Sequence, residues 1–412
     1  QGIFTSDLNI NGTSSAPVIL GDLNISSVDI PLFDSTVQDI NLDFQKDYVY
    51  LKSRGVILTN DIEIIAKILN NPNPPIIIDE LDVNMDVLDL NVITSRFNDF
   101  DVDKLKATKA SSNTSVTSFS PEQIRLSKGT VKADKILIKK ASATNFESNM
   151  SMGADSVFNI DNFSFNLANG IVSGKLSSDL KNYAHKGKMS IKNADAQIIS
   201  ENFFDMPGQM YGIVTGDLNA ACSGLTSLEC VKTLSGNGHF NVIDGRMPKL
   251  GSLEYLLKAT NLITGGITAV SINGIIDLIT PLKSGDFDNI TGDITVENGV
   301  ANDIKVYSSG KDLNMFLTGS YNISSLVADM EIYGSLSKNF STVLGVIGNM
   351  SLNRLFNKIP GININDINPS TTSNINKIPN FDKKNVLRVF KAEIFGDING
   401  SNYVKSFRWI KN

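Results

Sequence analysis

Histidine and cysteine each occur only twice in these 412 residues, and tryptophan once. Two histidines, His185 and His239, leave little from which to build an imidazole acid–base centre or a zinc site, both of which need clustered partners. No Gly-x-Ser-x-Gly elbow accompanies either one. His239 holds the polar position of an alternating strand and is expected to face solvent, and His185 falls in a Lys-flanked loop, 181–188. With a single tryptophan and no aromatic cluster, a surface for stacking on sugar rings is missing as well, which disfavours an enzyme acting on polysaccharide.

Charge is sparse too. Only 19% of residues are charged and the net charge is −6, with Lys and Arg scattered, which excludes a nucleic-acid footprint. The densest basic group, Lys132, Lys135, Lys139 and Lys140, reads as the solvated face of a strand. The acidic run Asp79, Glu80, Asp82, Asp86 and Asp89 alternates with apolar residues and lacks the tight convergent loop calcium requires. Gly236-Asn237-Gly238 precedes a strand, so it has no helix N-terminus with which to cradle phosphate. No catalytic constellation, metal site or cofactor motif is therefore expected. No run of about 18 apolar residues is present to cross a membrane. The chain opens on Gln1, and the expectation is a fragment, mature or trimmed form whose signal or anchor lies outside this stretch.

What the chain does have is period-two alternation. Leu23/Ile25, Ile40/Leu42/Phe44, Leu81/Val83/Met85/Val87, Ile136/Ile138, Phe163/Phe165/Leu167, Met189/Ile191, Ile304/Val306, Leu313/Met315/Leu317 and Ala328/Met330/Ile332 each set apolar side chains on one face. Polar residues fill the positions between, the mark of antiparallel strands with one wet face. Three segments end this pattern with Asn or Asp before Gly: 165–170, 240–245 and 294–299. A looser fourth is 124–129, with Lys128 in the Asn/Asp slot. Asn-Gly and Asp-Gly tolerate the positive φ of tight hairpins, so each is read as a strand running into a turn. Gly-Asp pairs at Gly21, Gly216, Gly292 and Gly396 read as strand starts. The irregular spacing of these units argues against a β-helix.

Helices punctuate the strands. Asn60 and Glu63 suggest a capping box for a helix carrying Ile62, Ile65 and Leu69, stopped by the prolines at 72–75. Pro121 opens a short helical turn. Further helices are expected over 250–263 and 337–358, the latter broken near Gly345, Gly348 and Asn349 and ended by Pro360. The Asn, Ser, Thr and Pro of 363–380 read as a connector, after which 389–398 returns to strand. Cys222 and Cys230 fit no zinc spacing. An oxidising compartment makes them a local disulfide between a strand end and a short helix; a reducing one leaves two buried thiols.

Residues 200–251 run from Ser200-Glu201-Asn202-Phe203-Phe204 through a strand over 212–218, then Ala221-Cys222-Ser223-Gly224 and a short helix to Leu234. Ser235-Gly236-Asn237-Gly238-His239-Phe240-Asn241-Val242-Ile243-Asp244-Gly245-Arg246-Met247 follows. This resembles the C-terminal region of AsmA-like proteins, with the pattern L-x-G-x-G-x-φ-x-φ-x-D-G-x-φ. Residues 287–299, a strand over 313–321 with Gly319, and a strand over 326–334 continue the similarity, which covers roughly 200–334.

The resemblance implies a mainly β fold: an elongated, twisted antiparallel β-sheet curled into an apolar groove, with a few short amphipathic helices. It implies an N-terminal β-rich groove segment at 1–195, an AsmA-like region at 196–362, a flexible linker at 363–380 and a C-terminal strand segment at 381–412. It also implies a non-enzymatic envelope protein of the periplasm, anchored to the inner membrane in its full length. Such a protein holds or conducts phospholipid, or another acyl-chain lipid, between membranes and supports outer-membrane assembly. Its partners are lipid, membrane and other envelope proteins, without cofactor or metal. The implied lipid-facing wall is Phe163, Phe165, Leu167, Phe240, Val242, Ile294, Val296, Ile304, Val306, Leu313, Met315, Leu317, Met330 and Ile332. An envelope location favours the disulfide reading of Cys222 and Cys230. About 20 strands at ~4.8 Å would give a groove on the order of 95 Å. The competing expectation is a secreted β-rich adhesin or structural surface protein, whose apolar faces close into a sandwich core.

Overall fold

The computed structural model describes residues 3–13, 16–30, 35–57, 60–71, 74–92, 121–204, 207–208, 210–246, 286–311, 313–337, 361–363, 366–382, 384, 386–397 and 404–411. The protein is mainly β, with few short helices. The chain divides into two compact units, Gln1–Met189 and Ser190–Asn412, the boundary falling inside the eleventh strand.

The first unit holds β1 (Ile3–Thr13), β2 (Ala16–Ile30), β3 (Ser35–Phe44), β4 (Tyr48–Ile57), β5 (Asn60–Leu69) and β6 (Ile76–Asp89). It continues with β7 (Ile124–Ile138), β8 (Ala141–Met152), β9 (Val157–Leu167), β10 (Gly170–Asp179) and the start of β11 (Ala184–Asp195). Strands β1 to β6 pair in chain order and antiparallel. So do β7 to β10. Between them β6 and β7 run parallel, an exception to the all-antiparallel expectation.

The second unit contains α1 (Ala196–Phe204), β12 (Tyr211–Ser223), α2 (Ser227–Thr233), β13 (Ser235–Arg246), β14 (Asp286–Glu297), β15 (Val300–Ser309), β16 (Leu313–Asn322) and β17 (Val327–Ser337). After these come β18 (Ile362–Asn363), α3 (Pro369–Ile375), β19 (Val386–Asp397) and β20 (Val404–Lys411). Strands β12 to β17, then β19 and β20, pair antiparallel in that order, and two-residue β18 adds parallel to β20.

Several sequence expectations need correction. Residues 60–69 are strand β5, not a helix. The stretch Ile62-Glu63-Ile64-Ile65-Ala66-Lys67-Ile68 satisfies both periods, and its β-branched residues fit a pleated surface paired on both sides. The connector at 363–380 instead carries α3, which buries Thr371 and Ile375; Asn368 accepts from the Ser370 backbone N–H as its N-cap, at 2.9 Å. The helices expected over 250–263 and beyond Ser337 lie outside the described residues. Pro121 does open a short 3₁₀ turn, Pro121–Gln123.

The Asn/Asp-Gly units divide by context. Asn298 and Gly299 have φ of 49° and 75° and form a two-residue hairpin turn as expected; the first unit turns one residue earlier than its Asn-Gly pair, on Ala168 and Asn169 with φ of 50° and 62°, and Gly170 opens β10. Asp244, at φ 50°, lies instead inside β13, where the pairing with β12 shifts register; it is a bulge. The fourth segment, 124–129, lies within β7 and makes no turn, though its pairing with β8 shifts register between Leu126 and Gly129. Gly21, Gly216 and Gly292 sit mid-strand rather than at strand starts, and Gly396 near the end of β19.

One closed core joins β15–β17, β19 and β20 to α3. Phe316, Tyr333, Val389 and Ile410 pack with Ile375, Ile378 and Val386, and Tyr307, Ile367 and Phe381 border them. A second is smaller: Ala196 of α1 packs over Val242, Phe287 and Ile290.

Candidate functional site: an uncovered apolar face

Side chains directly opposite across paired strands point to the same face, so register alone sorts the sheet into rows. In the first unit one row reads Leu23, Leu42, Leu51, Ala66, Leu81, Gly129, Met150, Ile160 and Leu176, from β2 to β10. Two residues away along the strands, or three in β9 where its pairing with β8 shifts register, a second reads Phe4, Ile25, Ile40, Ser53, Ile64, Val83, Val131, Ser148, Phe163 and Gly174, from β1 to β10. Neither row contains a charged residue. The row between them, on the opposite face, carries Asn24, Asn41, Lys52, Asp82, Thr130, Asn149 and Asn162, with Ile65 as its apolar member.

Over β2 to β6 this apolar face lacks the burial a second protein layer would impose, whereas in β7 to β10 Ala133, Ser148, Leu167 and Val172 on the same face are buried. Leu23, Ile25, Ile40, Leu42, Leu51, Ile64, Val83, Val131, Met150 and Phe163 are all half-buried. Among described hydrophobic residues of β1 to β6, only Ala66 is buried. At the outer strand the exposure rises further, with Phe4 72% and Ile10 67% exposed. Phe163 and Phe165 stack at 6.2 Å between ring centroids, and Leu167 beside them is buried.

The opposite face is laced with ion pairs. Glu63 receives Arg54 Nη2 at 2.9 Å and Lys52 Nζ at 3.3 Å, and these cations hold its carboxyl below the usual value. Lys67 meets Asp79 at 3.0 Å, and Lys132 meets Glu147 at 3.3 Å. Lys135, Lys139 and Lys140 are exposed but do not form one strand face with Lys132: register sets Lys135 beside Val87 and Thr144, in the parity of Val131, and Lys139 and Lys140 make the turn between β7 and β8.

In the second unit the remaining expected wall residues also share one face. Phe240, Val306, Leu317 and Ile332 fall in one row with Gly216 and Gly292. Ile294, Ile304 and Met330 fall in the next, with Gly238 and Gly319. Val242 and Met315 occupy a third row, Val296 a fourth and Leu313 a fifth. Burial along this face is uneven. Phe240, Ile294, Val296, Val306, Met315, Leu317, Met330 and Ile332 are half-buried, whereas Val242, Ile304 and Leu313 are buried. Val242 lies under α1, in the small closed cluster.

The histidines take no part in the apolar face. His239 Nδ1 lies 2.8 Å from Asp293 Oδ1 across the β13–β14 pair, both exposed. His185 is in β11 rather than a loop, half-buried, with Nδ1 2.8 Å from Ser178 Oγ. Cys222, ending β12, and Cys230 of α2 are joined as a disulfide, their Cα atoms 5.0 Å apart. The helix it holds is closed by a capping box between Thr226 and Glu229. Among the described residues no three His, Cys, Asp or Glu side chains gather as a metal site needs, and no helix is long and apolar enough to cross a membrane.

Sequence reasoning missed the contribution of β5. Ile62, Ile64, Ala66 and Ile68 belong to the apolar face, and their alternation was legible beside the helical spacing of Ile62, Ile65 and Leu69. The glycines interleaved with the wall, Gly216, Gly238, Gly292 and Gly319, carried a signal only as parts of strand motifs.

Comparison with known proteins supplies the remaining finding. No curated protein and no solved structure matches the chain. Residues 94–306, a little over half of its length, match the family model of the AsmA family. That span takes in β7 to β13 with β14 and most of β15, the strands that carry both hairpin turns of the repeated motif. On this match, and with a largely one-faced sheet of the kind expected, the chain belongs to the AsmA family.

Proposed function

We propose that this protein is a non-enzymatic envelope protein that holds phospholipid, or another acyl-chain lipid, against its apolar wall and conducts it between membranes, supporting outer-membrane assembly. The observation that carries this reading is the pair of apolar rows in Gln1–Met189, whose Leu, Ile and Val side chains stay half-exposed from β2 to β6. An apolar face this broad needs a cover, and contiguous exposed apolar surface marks interaction sites. Ten strands at ~4.8 Å spacing make it roughly 43 Å across.

Acyl chains suit such a face. Each buried methylene is worth about 0.8 kcal/mol, so a chain of about 16 carbons gains on the order of 13 kcal/mol before ordering costs. That gain does not depend on any one polar contact, so a chain can move along the rows with little change in energy. A periplasmic position, an inner-membrane anchor and envelope partner proteins belong to the same reading and rest on family membership. A closed-sandwich adhesin would bury Leu42, Ile64 and Phe163 under a second layer, and their half-exposure weighs against it.

The test is photo-crosslinking from neighbouring positions on opposite faces. A benzophenone amino acid at Ile64 or Val83 is expected to give phospholipid adducts, and one at Glu63 or Asn84 none. Adducts from neither face, or equally from both, reject the reading.

A further inference from the structure

On the apolar face of the second unit, Phe240 of β13 has a glycine on each flanking strand: Gly216 of β12 and Gly292 of β14 are its direct cross-strand partners. The ring does not stand off the sheet. It lies across β14, so that a Cβ added at Gly292 would run into Phe240 Cε1 and Cζ, with Cδ1 at 2.9 Å; the three nearest atoms all belong to this ring. No backbone atom is among them, and Gly292 keeps an ordinary strand φ, so its missing side chain serves the ring and not the main chain.

The place matters. On one side of Phe240 along the strand, Val242 and Ile290 are closed over by Ala196 of α1. On the other, Gly238 and Ile294 stay half-buried and lie outside that cluster, though Ile304 in their row is buried. Phe240, which packs against that cluster, therefore stands at the step where the cluster gives way to half-buried residues of β13 and β14.

We infer that Gly292 sets the depth of the lipid path at this step: it lets the Phe240 ring lie flat, which leaves room above β13 and β14 for an unbranched acyl chain. The inference rests on the lipid reading. A side chain at position 292 raises the ring into the space the chain would occupy. Because the half-exposed Phe240 ring has somewhere to go, the sheet itself tolerates the change. The pair is thus a gauge for chain thickness rather than a stabilising contact alone.

The experiment counts phospholipid bound to purified protein by native mass spectrometry, with thermal unfolding measured alongside. Four forms are compared: unmodified, Gly292→Val, Phe240→Ala and the double variant. Gly292→Val is expected to lose about five-fold of its bound lipid, as a modest overpacking penalty would produce. Adding Phe240→Ala should restore the load, because the obstructing ring is gone. A purely structural role would move the unfolding temperature and leave lipid in proportion to folded protein. Retention of full lipid by Gly292→Val, or failure of Phe240→Ala to restore it, overturns the inference while leaving the lipid reading intact. An unmodified protein that carries no lipid overturns both. If Gly292→Val does not fold, Gly292→Ala carries the same expectations at about two-fold, since the three atoms nearest its methyl all belong to the ring.

Discussion

Lys391 Nζ lies 2.6 Å from Glu331 Oε1 and 2.9 Å from Glu393 Oε1, bridging two carboxylates across the β17–β19 pair. Tyr333 donates its hydroxyl to Glu331 at 2.6 Å, and Asn374 of α3 donates to the Tyr333 oxygen at 3.2 Å. Ser406 donates to Glu393 at 2.7 Å. This network ties α3 to the sheet. Burial opposes the charge on Lys391, but the two carboxylates outweigh it and raise its pKa. Hydrogen bonds from Lys391 and then Ser406 lower that of Glu393.

The signs define a window. The raised Lys391 contributes fully below the ordinary lysine range and loses its contribution as pH rises through its higher folded value. The depressed Glu393 contributes above the ordinary carboxylate range and loses its share as pH falls through its lower folded value. Stability should therefore hold between about pH 5 and 10 and decline on either side. Lys391→Met should cost ~1–3 kcal/mol at pH 7 by removing the cation that two carboxylates share, discounted for their partial exposure. Urea unfolding at pH 7 and pH 3 checks this: the cost should shrink in acid. An equal cost at both would show that packing, not charge, is lost.

Cores and wall should respond unequally to truncation. Ile375 is fully buried beneath β16 and β17, so Ile375→Ala should cost ~2–4 kcal/mol. Ile64 is half-exposed on the wall, and Ile64→Ala should cost only about 1 kcal/mol. Thermal unfolding of the two variants measures the difference. Equal losses would mean that protein already covers the wall.

The Cys222–Cys230 bridge closes a short loop, with a sequence separation of 8. Chain-entropy reasoning assigns such a loop ~2–3 kcal/mol. The Cys222→Ser/Cys230→Ser protein should unfold at lower urea than the oxidised form, and at the same urea as the reduced one. Coincident oxidised and reduced curves would show the bridge to be energetically idle.

Gly21 has φ +116°, and a Cβ there would strike the Asp7 carbonyl oxygen of β1. Gly21→Val should therefore detach the edge strand at a cost of ~2 kcal/mol or more. Limited proteolysis should then cut within 3–13 at protease levels that spare the parent chain. An unchanged cleavage pattern would mean that β2 absorbs the side chain by local bending.

The faces of the strands were legible in the sequence because alternation is a local property. Phe163, Phe165 and Leu167 share a face whatever they pair with, and so do Leu313, Met315 and Leu317. Segment 60–69 failed the same test because Ile62, Ile65 and Leu69 also satisfy a helical period, and only pairing with β4 and β6 decided between them. Residues 363–380 failed for another reason. Their polar composition hid Ile375 and Ile378, which fold onto Phe316 from far along the chain.

The sequence by itself determined that the chain would be mainly β, that alternate residues would set an apolar wall on one face, and that two of its Asn-containing segments would turn. Each of these follows from side chains within a few residues of one another. Only the tertiary structure decided that β6 and β7 run parallel, that Asp244 is a bulge, that Phe240 lies over Gly292, and which apolar residues stay open. Ile375 and Ile64 are the same residue type, yet one is sealed beneath Phe316 and the other is half-bare. Exposure depends on what packs above a face, and that is set by contacts between residues distant in the chain, which no local pattern encodes.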